Sequence, residues 1–265
     1  MQDAPRPHPR IIAILLLLAL PGLMAGEQES FSHFSRAVRT SEPALVLVRT
    51  LAKDSHGHRR VVARNTGFFV DENGRVVTSL HVWVRGGRMQ VVRRGGARSK
   101  ADIAAVDQHA GLALLETGLQ DTPALQPVGS PPAKDDWVVV ALARNGGSDG
   151  FHALYRPARL SETGLEQRIC GVKWKGLVAI DAPMMHGAVS APVLNKDGRM
   201  AALVVAFDRG AKNRHKALAL PPEQFRKSLK VMRKGGRRMG WLGVALTCGE
   251  DRTGARVEAV LPRSP

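Results

Sequence analysis

Cysteine is nearly absent. Cys170 and Cys248 are the only two among 265 residues, and they stand far apart in the chain. Two such cysteines make neither a disulfide framework nor a metal site, so no metal is expected. No stretch signals a cofactor either, and none is expected. His56 and His58 in "DSHGHRR" could chelate weakly, but the stretch reads as a solvated loop. Long apolar runs are missing too. The run from Ile11 to Leu20 is half the roughly 20 residues a spanning helix needs. With its basic start and the small residues after it, it predicts a secretory signal over residues 1–25 and export, with an uncleaved anchor as the alternative. Acidic residues are scarce: 23 Asp and Glu face 39 Lys and Arg, a net charge of +16. That excess suggests nucleic acid or an anionic surface as a partner. Because the cations are scattered along the whole chain, they read first as solvated surface.

What is present is a succession of short apolar runs rich in Val, Ile, Thr and Phe. "ALVLVRT", "RVVARNTGFFVD", "RVVTSLHVW", "MQVVRR", "ADIAAVD" and "LALLET" come first. A second set holds "DWVVVALAR", "HALYRPARLS", "KGLVAID", "APVLN", "MAALVVAFD" and "KALAL". Turn residues between them favour strands. The Pro- and Gly-rich stretch "GLQDTPALQPVGSPPAKDD" separates the sets. The pattern predicts an all-β chain of two small barrels, about 36–118 and 122–221. The character then changes. "PPEQFRKSLKVMRKGGRR" predicts a basic helix and linker over 221–238, with Phe225, Leu229 and Met232 on one apolar stripe and Arg226, Lys227, Lys230, Arg233 and Lys234 around it. No aromatic side chains interleave with these charges, which argues against nucleic acid.

Three motifs, in order, resemble the HtrA/Deg family, trypsin-like proteases of bacterial envelopes that carry PDZ domains. "NTGFFVDENGRVVTSLHVW" resembles the family's strand, turn and histidine motif, with His81 on the catalytic histidine. "VDQHAGLALLE" resembles the aspartate motif, with Gly111 where the catalytic aspartate belongs. "DAPMMHGAVSAPVLNKDG" resembles the nucleophile segment, with Val189 in the serine position and no gap from Asp181 to Gly198. The resemblance implies a trypsin-like domain over about 31–225 with two chymotrypsin-fold barrels. Gly-Trp-Leu-Gly-Val at 240–244 resembles the opening of a PDZ domain, here 239–265. A piece under ~40 residues seldom folds alone.

The departures bear on chemistry. In the triad, serine attacks, histidine takes its proton, and aspartate holds the imidazole in the useful tautomer. Val189 has no nucleophilic atom, and loss of the serine alone costs on the order of 10⁶ in rate. Gly111 removes a group worth roughly 10⁴. The expectation is a pseudoprotease in which His81 is a remnant. Ser190 is the alternative nucleophile, but in an unshifted turn it points away from His81. Ser190 and Ala191 also occupy places where the family has glycines. Asp107 could replace the lost aspartate, yet four residues along a strand is ~13 Å. Binding could persist: the amides of Gly187 and Val189 could form an oxyanion-type nest, and the cleft could take an extended peptide. His186, just before that nest, reads as a surface histidine. Partners implied are unfolded or extended polypeptides and, for a complete PDZ domain, its ligand. The resemblance also implies a homo-trimer built on aromatic residues near the amino terminus, Phe31 and Phe34 here. Two rival functions stay open: an active endopeptidase using Ser190 and His81, and a basic anion-binding envelope protein.

Overall fold

The computed structural model describes residues 34–84, 86–146, 150–169, 172–182, 186–209 and 215–235, together with the backbone of strands at 244–248 and 255–260. The signal segment, Phe31, Cys170 and the Gly240–Gly243 motif lie outside the described residues. Two closed antiparallel barrels make up the body, so the chain has the trypsin-like, mostly-β fold. The first takes strands β1 (Leu45–Lys53), β2 (Arg59–Phe69), β3 (Val76–Ser79), β4 (Arg88–Val92), β5 (Arg98–Asp107) and β6 (Leu112–Glu116), in spatial order β1-β2-β3-β6-β5-β4. The second takes β7 (Trp137–Asn145), β8 (Phe151–Ile169), β9 (Val172–Ile180), β10 (Pro192–Leu194), β11 (Met200–Arg209) and β12 (His215–Leu220), in order β10-β11-β12-β9-β8-β7. A separate hairpin pairs β13 (Val244–Cys248) with β14 (Ala255–Val260).

Alternation along each strand sorts its side chains between two environments. On β1, Val46 and Val48 enter the interior of barrel 1 with Val76, Val91 and Leu115. Leu45 and Leu47 point the other way and join Phe68, Ala141, Ala143 and Phe151 in a core shared by the two barrels. Each such large apolar side chain removed from water contributes about 1.5–3 kcal/mol. The β2–β3 turn depends on Asp71, whose carboxylate accepts the N–H groups of Asn73 and Arg75 at 3.2 Å each. Gly74 completes that turn at φ +74°, where a Cβ would lie 2.6 Å from the Leu119 carbonyl oxygen, so only glycine fits.

β8 is longer than the run 152–161 that the sequence suggests. It continues through Gly164 to Ile169, and three register shifts against β9 absorb its irregular pattern. Before β1 stands a helix, α1, over residues 34–41, which strand patterning does not signal. Its Phe34 and Ala37 pack on Val139 and Tyr155 of barrel 2. Phe34 is therefore buried within its own chain.

Helix α2 (Pro222–Arg233) lies against both barrels with its apolar stripe inward. Phe225 meets Phe68 at a ring-centroid distance of 5.9 Å, and Leu229 and Met232 extend the shared core. The helix is also tied by polar contacts. Ser228 Oγ donates to the buried Asp107 carboxylate at 2.7 Å, and the Gln224 side-chain amide donates to the Lys175 and Gly176 carbonyls. Arg226 donates to the Val128 carbonyl, and Arg233 reaches Asp71 at 3.3 Å.

Candidate active site

The three motif segments meet at the seam between the barrels. β3 ends at Ser79, directly opposite Leu112 at the start of β6, and the Leu80 N–H donates to the Gly111 carbonyl at 2.8 Å. Pairing of these two strands thus sets the histidine turn beside Gly111. From barrel 2, the segment before β10 reaches across: the Thr66 N–H donates to the Gly187 carbonyl at 3.3 Å.

His81 sits in a 3-10 turn, Leu80–Val82, capped by Ser79. Its side chain is exposed. Nδ1 lies 2.9 Å from Ser79 Oγ, which also accepts the His81 backbone N–H at 3.2 Å. A carboxylate can only accept, so it would fix the ring N–H at Nδ1 and leave Nε2 as the base. A hydroxyl can donate or accept. Ser79 therefore orients the ring without fixing that tautomer.

Gly111 adopts φ +64°, and a Cβ built there would meet nothing within 4 Å. Its turn is covered from barrel 2 by Trp174, which stacks on His109 at 4.8 Å. Asp107 is not free to serve as the carboxylate that the resemblance places at Gly111, and the reason differs from strand length. β5 ends at Asp107 and the chain turns back at once, so Asp107 faces Leu112 across the hairpin. Its two oxygens are committed instead: Oδ1 accepts the N–H groups of His109 and Ala110, and Oδ2 accepts Ser228 Oγ.

In the nucleophile segment, Val189 is half-buried and offers no nucleophilic atom. Ser190 is fully buried at φ +70°, one of three non-glycine residues in the left-handed region among the described residues. Holding an L-residue there costs roughly 1–2 kcal/mol. Its Oγ donates to the Thr66 carbonyl at 2.8 Å and also lies in hydrogen-bond contact with the Val189 carbonyl. Its N–H donates to the Val204 carbonyl at 2.7 Å, and Val204 N–H returns a bond to Ala191 at 3.0 Å. Of the two positions expected to need glycine-like angles, only Ser190 has one; Ala191 does not. Gly187 is at φ +78°, and its carbonyl is taken by Thr66. His186 is exposed.

Thr66 is the residue that sequence reasoning missed. It lies inside the quoted "NTGFF" stretch, but nothing there marks it as a hub. Its carbonyl accepts both Thr78 Oγ1 at 2.9 Å and Ser190 Oγ. Its own Oγ1 accepts the Ala143 N–H at 3.1 Å. One buried threonine therefore joins β2 to β3, to β7 and to the nucleophile segment.

Comparison with known proteins accords with this arrangement. The model of the trypsin-like peptidase domain matches residues 65–203, just over half of the chain. A probable periplasmic serine endoprotease, DegP-like, from Chlamydia muridarum is 27% identical over 196 residues, covering 73% of this chain and 38% of the relative. The mitochondrial serine protease HTRA2 of Bos taurus is 24% identical over 226 residues, covering 82% of this chain and 46% of that one. The chain thus spans less than half the length of these relatives. A serine endoprotease from Yersinia pestis, solved by crystallography, superposes with a TM-score of 0.62 at 20% identity, over 87% of this chain and 76% of the other. The fold, the three ordered motifs and these similarities together show that the chain belongs to the trypsin-like peptidase domain family, within its HtrA/Deg group.

Proposed function

We propose that this protein is an exported pseudoprotease that holds extended or unfolded polypeptide in the cell envelope without cutting it. The observation that carries the reading is the state of Ser190. The hydroxyl nearest the lost nucleophile is buried and donates inward to Thr66, while Val189 takes the reactive position. Beside it, His81 leans on a hydroxyl rather than a carboxylate.

Support for retained binding comes from β11. Met200 to Leu203 pair with β10, the Val204–Ala191 bond extends this by one residue, and β12 takes the other side from Leu203 onward. From Val205 to Arg209 it has only β12 as a strand partner among the described residues. That one-sided stretch begins where Ser190 ends, and an extended peptide can add to it by main-chain hydrogen bonds. The envelope location follows the sequence signal and the periplasmic names of the relatives. The hairpin β13–β14 is read as part of the opening of a PDZ domain.

The test is incubation of the purified protein with unfolded casein and, separately, with a fluorophosphonate probe. The expected result is intact casein, no adduct on Ser190, and measurable heat on titrating extended apolar peptides. An adduct on Ser190 that disappears in His81→Ala would replace this reading with that of an active endopeptidase.

A further inference from the structure

The strand register of barrel 1 gathers cations that the linear sequence scatters. In β1, Arg49 follows Leu45 and Leu47 on the outer face. It stands opposite Arg64 of β2 on one side and Gln90 of β4 on the other. Gln90 in turn faces Lys100 of β5. One row across four strands thus reads Arg64, Arg49, Gln90, Lys100, with neighbouring strands ~4.8 Å apart. The rows on either side add Arg98, opposite Val92, and Arg88, opposite Leu51.

Compensation is thin. Lys100 pairs with Asp102, but among the described residues no carboxylate forms an ion pair with Arg49, Arg64, Arg88 or Arg98. Arg49 is half-buried and held in place: its Nε and one terminal nitrogen both donate to Gln90 Oε1, at 3.1 and 2.9 Å. Burial first, and then the like charges of Arg98 and Arg64, hold its guanidinium below the usual range. Next to the row, Val62 is skipped by the β1–β2 register shift and is 52% exposed.

We propose that this outer face of barrel 1 docks on an anionic phospholipid surface, with Arg49, Arg64, Arg88 and Arg98 meeting lipid phosphates. The arrangement favours a surface over a strand-like partner. The cations spread across four strands on a convex sheet rather than along a groove, and guanidinium groups match phosphate oxygens bidentately. No aromatic side chain stands in these rows to stack bases, which disfavours nucleic acid. An exposed valine among arginines suits the boundary between headgroup and acyl chain. The inference is independent of whether the cleft binds or cuts peptides.

The experiment is co-sedimentation of the full chain with phosphatidylcholine vesicles, with and without phosphatidylglycerol, at low and high salt. Binding is expected only with phosphatidylglycerol, and weaker in salt. Each cation near an anionic surface contributes about fivefold to partitioning, so Arg64→Gln/Arg98→Gln should lose on the order of thirtyfold. Both side chains are exposed, so this variant should melt like the parent. Lys230→Gln/Lys234→Gln on α2 removes the same charge elsewhere and should bind nearly as well as the parent. Equal losses for the two pairs would overturn the proposal in favour of diffuse net charge. No binding to phosphatidylglycerol vesicles would overturn it outright, and so would polyglutamate binding that depends on Arg64 and Arg98 when vesicle binding does not.

Discussion

If only the chemistry has been lost, returning a few side chains should return cleavage, and the structure says which ones. Val189→Ser supplies a nucleophile but leaves His81 on Ser79, without a group that fixes its tautomer. Its activity should remain about 10⁴ below that of a complete triad. Gly111→Asp adds the carboxylate. The space is open, but φ +64° costs an aspartate about 1 kcal/mol. Ser190→Gly relieves a similar left-handed cost, about 1 kcal/mol, and forfeits the buried bond to Thr66, also about 1 kcal/mol. The Thr66 carbonyl keeps Thr78 as a donor, so no buried acceptor is left bare. Glycine's added unfolded-state freedom costs another ~0.5–1 kcal/mol. The triple variant should therefore be about 2 kcal/mol less stable, a fall of roughly 4–8 °C in Tm. Ala191→Gly is unnecessary, because that residue already has an ordinary backbone angle. The assay is casein cleavage by wild type, Val189→Ser, Val189→Ser/Gly111→Asp and the triple variant at equal folded fraction. Wild type should be silent and the triple variant should exceed the single by up to about 10⁴. A folded triple variant no better than Val189→Ser would refute the reasoning that the missing carboxylate limits the reaction. Cleavage by the wild type would refute the assignment of Val189.

Other outcomes follow from the packing. Ser228→Ala should leave the buried Asp107 oxygen without its donor and lower stability by about 1–3 kcal/mol, read from urea midpoints. In a double-mutant cycle, Asp107→Ala/Ser228→Ala should cost less than the sum of the single changes, since both break one bond. Burial pushes the Tyr155 hydroxyl up to about 12, helped by Glu42 and opposed by its bond to Ser41. The unfolded chain ionises near 10, so between pH 10 and about 12 it has given up a proton the folded chain keeps. Stability should fall as pH rises through that window, and Tyr155→Phe should flatten the fall in pH-dependent unfolding curves. Ser190→Ala keeps the left-handed backbone and loses the Thr66 bond, so it should melt below both wild type and Ser190→Gly.

The fold class was legible in the chain because a strand's inward and outward residues alternate in sequence itself. Runs such as "ALVLVRT" and "MAALVVAFD" carry that alternation or full burial wherever they lie, and Asp-x-Asn-Gly carries its turn. Helix α2 was equally legible, since Phe225, Leu229 and Met232 repeat with the helical period. The absence of a nucleophilic side chain at Val189 is likewise a property of the sequence alone. Other features depended on which segments meet, and no local pattern encodes that. Strand pairing decided that the histidine turn sits beside Gly111, that Asp107 faces Leu112 across a hairpin and serves α2, and that Ser190 turns inward to Thr66. The same pairing turned Arg49, Arg64, Arg98 and Lys100, which lie up to half a barrel apart along the chain, into one charged face. Side-chain type is fixed residue by residue. The distance between two hydrogen-bonding groups is fixed only when a closed barrel sets its register.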